Sequence, residues 1–553
     1  MTFIHRISIA ICLMLISNTL QAQVRIYDSG GPLMPEQAAY DVTFYDLTME
    51  IDPDKRRIEG MLHAEVDVVH PMHWLVLDLD TLLDVSTTWL FDEKGKRTTR
   101  PFKREGGKLW IDLGKTHQAG ERAIVGIAYG GQPRTAPRAP WDGGFSWAKT
   151  PDGEHWIATS CQTQGADVWW PVKDHVSDEP DSMAINVRVP EPLVVASNGR
   201  LRETESHSDG TRTYRWFVST PINAYNVALN IAPYRTIEGE MECVTGEKYP
   251  VVFYVLPKDY ENGEQLFPEI LDHLRFFEEL LGPYPFRADK YGVAQTPHLG
   301  MEHQTIIAYG AGFSNTSMTG GRDWGFDALH QHELAHEWWG NLVTNFDWKD
   351  MWLHEGFGSY MQPLYAEKIN GTEAYQKYMQ SMRRFSNRLP VAPRETKSAS
   401  EIYRAPIYTK GAWALHMLRY LMEDRVFFRA LKRMAYPDPK LEETTDGGQT
   451  RFATTDDFLR ICEEESGMEL DWFFEVYLRQ AELPKLYSRI ENDQLTLRWE
   501  SPVEGPFPMP VEIEIGKTRQ KIQVPPGGIS IPIKRKDKPV VDPDGWLLFE
   551  IGR

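Results

Sequence analysis

The segment His332-Glu333-Leu334-Ala335-His336 constrains this chain more than any other. Residues four apart stand on one face of an α-helix, so the two imidazoles project together. The neighbouring residues support a helix: Asp327 suits its start, Leu329, Leu334 and Ala335 its interior, and Gly340-Asn341 its end. Two neutral imidazoles so placed can share one Zn²⁺, which leaves Glu333 free to act as a base on a water molecule. A catalytic zinc takes a third protein ligand and keeps one position open. Glu355, within Trp352-Leu353-His354-Glu355-Gly356-Phe357, follows His336 after a gap of eighteen residues. That gap lets the first helix end, the chain turn over residues 341–349, and a second helix return a carboxylate. The expectation is one Zn²⁺ per chain on His332, His336 and Glu355. The plainer alternative is a pair of histidines on a solvated helix.

The rest of the chain must fold around that helix pair. At 553 residues, with 41% hydrophobic and 12% aromatic content, it has material for three or four domains. A formal net charge of −19 disfavours nucleic acid and anionic membranes as partners and favours solubility. Residues 1–22 read as a signal peptide: His5 and Arg6 precede an apolar run from Ile7 to Ile16, and Leu20-Gln21-Ala22 ends on a small residue. The chain is therefore expected to be exported, to a periplasm or to the medium. That run is too short to span a bilayer, and no later run reaches the length of a membrane span. Beyond the leader only Cys161, Cys243 and Cys462 remain, too few and too scattered for a disulfide framework or a Cys-zinc site.

Hydrophobic periodicity divides the mature chain into three. Over residues 23–257 the pattern alternates, as in Tyr45, Leu47, Met49 and Ile51, with turn signals at Asp52-Pro53-Asp54 and Gly130-Gly131. This predicts a large antiparallel β domain. Over residues 258–486 helical spacing takes over. Leu266, Ile270, Leu274, Phe277 and Leu281 precede a Gly282-Pro283 stop, and further helices are predicted over 411–422, 456–465 and 471–479. Over residues 487–553 alternation returns, predicting a small β-sandwich-like module. The fold class is multidomain α+β.

With these residues in view, the chain resembles the aminopeptidase N family of zinc metallopeptidases, the gluzincin aminopeptidases that include leukotriene hydrolase. The resemblance runs from the strands near Tyr40 to the segment 541–547. It is strongest over residues 332–344 and 352–357. It implies a thermolysin-like catalytic domain with His332, His336 and Glu355 as zinc ligands and Glu333 as general base. The family carries a Gly-x-Met-Glu-Asn strand whose glutamate holds the substrate α-amine. Leu299-Gly300-Met301-Glu302-His303 is similar, with Leu299 and His303 in place of the glycine and the asparagine. Glu302 is thereby implied as the amine anchor, with Gly300 and Met301 lining the substrate site. A tyrosine ahead of Lys-Gly and a helix matches Tyr408, implied as the oxyanion donor, while Tyr403 lacks that following pattern. Gln162, nine residues before Pro171, matches a Gln or Glu of the same amine site; Trp169-Trp170 replace the usual Arg-rich sequence there. The chain resembles a short form lacking the family's large C-terminal helical domain, which leaves a more open cleft.

The implied activity is removal of N-terminal residues from peptides with a free N-terminus. A zinc endopeptidase, a hydrolase of non-peptide substrates and an inactive binding scaffold are the competing classes. The sequence carries no signal for an oligomeric state. Among nearby residues, His330 is expected to face solvent, His354 to cap the second helix, Glu337 to stand behind the ligands, and Trp338-Trp339 to pack in the core.

Overall fold

The computed structural model describes Ser29 and residues 33–534 and 536–552, so the expected leader, residues 1–22, lies outside the described part. An eight-stranded sheet dominates the N-terminal region. Its strands run in the order 200–206, 211–218, 182–190, 40–52, 57–68, 122–131, 83–91, 97–100, antiparallel except where 40–52 meets 182–190. Tyr45, Leu47, Met49 and Ile51 turn to one face and are buried, as their alternation requires. Gly130 and Gly131, expected at a turn, finish the strand 122–131 and pair with Glu59 and Ile58. A three-stranded sheet (72–78, 108–117, 102–105) and a four-stranded one (194–197, 229–232, 155–160, 144–149) complete this region.

The next sheet crosses the expected 257/258 boundary. Strands 235–242 and 248–255 form a hairpin, and 248–255 pairs in parallel with 291–295, then 307–309 and the short edge strand 300–301. The hairpin carries the same alternation as the strands before it, so local pattern alone assigned it to the N-terminal domain. Its hydrogen bonds join it to the sheet that presents Glu302. The helices that follow are α1 (Tyr260–Leu281), α2 (Ala328–Ala335), α3 (Trp352–Asn370), α4 (Thr372–Ser381), α5 (Ala399–Ile402), α6 (Thr409–Met422), α7 (Asp424–Ala435), α8 (Thr455–Ser466) and α9 (Asp471–Tyr477). Two small sheets over residues 485–551 close the chain, with Leu495, Leu497, Val511 and Ile513 in a shared core. No helix among the described residues is long and apolar enough to cross a membrane.

Two contacts set the position of α3. It meets α6 glycine on glycine: a Cβ on Gly356 would lie 2.9 Å from Gly411 Cα. Any larger residue there would push the helices apart. At the N-terminal end, Asp350 Oδ1 accepts from the Thr455 N–H (3.0 Å) and hydroxyl (2.5 Å), and that hydroxyl accepts from Trp352 Nε1 (2.8 Å). Asp350→Ala leaves a buried donor without its acceptor, at a cost of about 1–3 kcal/mol. The expected outcome is a melting temperature several degrees lower by calorimetry; an unchanged one would show that α3 is held otherwise.

Candidate active site

Helix α2 is buried on every side. Asp327 caps it as expected, accepting from the His330 N–H (3.0 Å). The helix ends at Ala335, earlier than the expected Gly340-Asn341, and passes into a π-type turn over Glu337–Leu342. Gly340 sits there at φ +143°, a conformation that suits only glycine. The turn brings the Trp339 carbonyl to His336 Nδ1 (2.9 Å). The ring proton is thus committed to Nδ1, and Nε2 carries a free lone pair.

Three donor atoms converge. His332 Nε2 and His336 Nε2 are 3.3 Å apart, and each lies 3.6 Å from Glu355 Oε2. Ligands 2.0–2.2 Å from a tetrahedral zinc stand about 3.3–3.5 Å from one another, so the triangle matches one face of such a site. Gly358 keeps the imidazole edges clear: a Cβ there would lie 3.2 Å from His336 Cε1 and 3.3 Å from His332 Cε1. Two neutral imidazoles and a carboxylate are a donor set suited to Zn²⁺. Burial pushes the His332 ring down to about 4, which keeps it neutral, as a ligand must be. The other Glu355 oxygen, Oε1, accepts from both Tyr408 (2.8 Å) and Tyr403 (2.9 Å).

A second group lies alongside. Ligand atoms of Glu302, Glu333 and His336 fall within 4.8 Å of one another. Glu302 Oε1 accepts from Gln162 Nε2 and from the Tyr225 hydroxyl (3.2 Å), and its main-chain oxygen accepts from Asn341 Nδ2 (3.1 Å). Burial pushes Glu302 up to about 7, and burial with Glu302 and Glu355 nearby holds Glu333 well above the carboxylate range. Glu355 is raised by burial too, against the pull of His336. Three desolvated carboxylates in one cleft favour a bound cation. The cleft, of about 740 Å³, is lined by all of these acids together with Gly300, Met301 and Gln162.

Residues 272–477 match the Peptidase family M1 domain, and residues 42–226 match the Peptidase M1 N-terminal domain. The chain belongs to peptidase family M1. Aminopeptidase 2, mitochondrial, of Saccharomyces cerevisiae is 23% identical over 429 residues, which are 73% of this chain and 44% of that protein. Aminopeptidase N of Streptomyces lividans is 25% identical over 350 residues, 57% of this chain and 37% of that protein. The chain thus spans less than half the length of these curated relatives. The M1 zinc metallopeptidase of Deinococcus radiodurans, as a mutant bound to Tyr-Ser-Ala, superposes with a TM-score of 0.66 at 24% identity. The match covers 83% of this chain and 98% of that one. At that identity the likeness carries the fold.

Within this M1 fold the sequence expectations fare unevenly. The triangle, Glu302, Glu333, Gln162 and Tyr408 share one cleft, and Trp338 and Trp339 are core residues. His330 is not solvent-exposed but fully buried, bonded to His273 Nδ1 (2.9 Å) and the Tyr291 hydroxyl (2.8 Å). A helix enclosed on all sides has no solvated face for it. His354 lies inside the first turn of α3, and its Nε2 accepts from the Asn345 N–H (2.9 Å), tying the preceding strand to the helix. Glu337 stands behind the ligands, accepting from the Thr305 N–H (2.8 Å) and Asn341 Nδ2 (3.4 Å). Tyr225, in a single 3₁₀ turn over Ala224–Asn226, has no sequence pattern that marks it for this site.

His336→Ala opens the donor triangle while leaving the core residues in place. One equivalent of zinc in the unmodified protein should fall to near zero by elemental analysis, with the circular dichroism spectrum retained. Stoichiometric zinc in the variant would refute the site.

Proposed function

We propose that this M1 chain is a zinc-dependent aminopeptidase that removes N-terminal residues from peptides with a free α-amine. The observation that carries this reading is Glu302: a buried carboxylate beside the donor triangle, facing the cleft and oriented by Gln162 and Tyr225. The curated relatives named aminopeptidases support it. His332, His336 and Glu355 would hold the zinc, which when bound polarises a carbonyl and acidifies a water molecule.

The chain's own residues do the remainder. Glu333 takes a proton from the attacking water and passes it to the leaving amine. Gly300 leaves it room, since a Cβ there would lie 2.5 Å from Glu333 Oε1. Tyr408 gives its hydroxyl hydrogen to the developing oxyanion, a donor of a kind worth about 10²–10³ in rate. Tyr403 keeps its bond to Glu355 and holds that carboxylate in line. Glu302 pairs with the α-ammonium, and Met301 lines the site for the residue to be removed. The pairing fixes the register at one residue, which separates an exopeptidase from an endopeptidase. The leader-like residues 1–22 support export of the enzyme.

The tyrosines can be told apart kinetically. Tyr408→Phe should lower kcat about 10²–10³-fold with zinc retained and KM little changed. Tyr403→Phe should instead weaken zinc retention about 10–100-fold, as loss of a group that orients a metal ligand does. A large kcat loss in Tyr403→Phe alone would exchange the two roles.

The reading as a whole is tested with paired substrates. Acetylating the α-amine leaves Glu302 desolvated without a cation, so kcat/KM should fall roughly a hundredfold or more. Glu302→Ala should remove most of that discrimination by harming the free-amine substrate. Equal kcat/KM for free and acetylated peptides in the unmodified enzyme would leave a zinc peptidase that is not an aminopeptidase.

A further inference from the structure

The cleft is lined by two arginines as well as by acids. Its inner part holds the Glu302, Glu333 and Glu355 carboxylates, and Leu299, Met301, Met318 and Leu329 make an apolar stretch of lining. Among the described residues, its only lining guanidinium or ammonium groups belong to Arg138 and Arg404. Both are exposed, in a chain where acids outnumber bases by 79 to 60.

The main-chain segments that carry both arginines are linked by hydrogen bonds to the loop of Gln162. Arg138 sits at the start of a tight loop whose ends exchange main-chain bonds, Arg138 N–H to Asp142 O (3.3 Å) and Asp142 N–H to Arg138 O (3.0 Å). That loop is docked by the Gly143 N–H, which donates to Gln164 Oε1 (2.6 Å). Arg404 follows α5, whose Ala399 N–H donates to Ser29 O (2.8 Å), while the Ser29 N–H donates to Thr163 O (3.0 Å). The two segments are therefore tied to residues 163–164, beside the partner of Glu302, and both arginines line the same cleft as Gln162 and Thr163. Their charges are open. Asp142, the acid of Arg138's own loop, is taken by Arg134 (2.6 Å). Arg138 lies 5.9 Å from the Trp141 ring centroid, at the outer limit of a cation–π contact. No carboxylate among the described residues pairs with either group.

We propose that Arg138 and Arg404 form a site for a substrate carboxylate at the amine end of the cleft, and that this selects peptides whose N-terminal residue is Asp or Glu. The assignment rests on the aminopeptidase reading. With the α-ammonium on Glu302 nothing of the substrate lies beyond it, so the side chain of the N-terminal residue is what faces the Gln162 loop. A peptide has a second source of carboxylate, the free C-terminus of a di- or tripeptide, and the test separates the two.

kcat/KM is measured on fluorogenic amides of Glu, Asp, Leu and Ala, which have no C-terminal carboxylate, and on Leu-Ala-Ala beside its C-terminal amide. The enzymes are the full chain, Arg138→Gln, Arg404→Gln and the double variant, at low and high salt. The Glu-to-Leu ratio should fall about two- to fivefold per substitution and roughly tenfold in the double variant. High salt should bring the unmodified ratio towards that of the double variant. A fall confined to Leu-Ala-Ala relative to its amide would keep the carboxylate site and overturn the N-terminal assignment. Equal losses on every substrate would overturn the site and leave the arginines structural. Absence of turnover on any free-amine substrate by the unmodified enzyme would instead remove the aminopeptidase reading and the proposal with it.

Discussion

The two oxygens of Glu355 face different partners, and the catalytic region is arranged around that division. Oε2 completes the triangle with the imidazoles, while Oε1 accepts from two tyrosyl hydroxyls. A carboxylate has lone pairs enough for both duties only if its position is fixed. The Asp350–Thr455–Trp352 bonds fix one end of α3, and the Gly356–Gly411 contact fixes its distance from α6, the helix that begins just after Tyr408. A shift of about 1 Å would open the triangle beyond what a small metal ion bridges.

The same region shows how a core tolerates acids. Glu337 is buried and Glu179 half-buried, and desolvation pushes each up to about 8. They serve as fasteners for the loops around α2: Glu179 accepts from the Thr344 hydroxyl (2.9 Å) and Glu337 from the Thr305 N–H. Lys290, lowered to about 7 by burial, donates to the Ser197 and Thr305 carbonyls. These groups have uncharged hydrogen-bond partners in place. In the cleft, by contrast, acid lies against acid: Glu355 raises Glu302, and Glu302 and Glu355 both raise Glu333. The difference marks the cleft as a place for cations, supplied in the proposed reading by zinc and by the substrate ammonium.

What was legible in the sequence was what is local. Histidines four apart share a helix face whatever surrounds the helix, and a gap of eighteen residues sufficed for a turn and a second helix. The alternation of Tyr45 to Ile51 and the spacing of Ile270 to Leu281 were read correctly for the same reason. The misreadings depend on what packs against a segment. His330 required knowing that α2 has no solvated face. The strand 248–255 alternates like the strands before it, yet it pairs with 291–295 across the expected boundary. The early end of α2 reflects a π-type turn, whose signature is the conformation of Gly340 rather than its identity. Tyr403 and Tyr408 both bond Glu355 Oε1, at 2.9 and 2.8 Å, so here only the pattern after Tyr408 separates them.

Distance in the sequence also divides the two tasks of the cleft. Every donor of the triangle comes from one stretch, residues 332–355, and its supports come from the helices around it. The Glu302 site is composite. Its carboxylate accepts from Gln162 and Tyr225, contributed by the N-terminal β region, and Asn341, which holds the Glu302 carbonyl, accepts in turn from Asn226 Nδ2 (2.7 Å). Metal chemistry can thus be assembled within the helical region, whereas the amine anchor is complete only where that region meets the β strands. In the proposed reading, hydrolysis belongs to the helices and the choice of a free N-terminus belongs to the contact between domains. That choice therefore depends on packing remote from the metal ligands, since Glu302 without its β-domain donors would be a desolvated acid with no fixed direction.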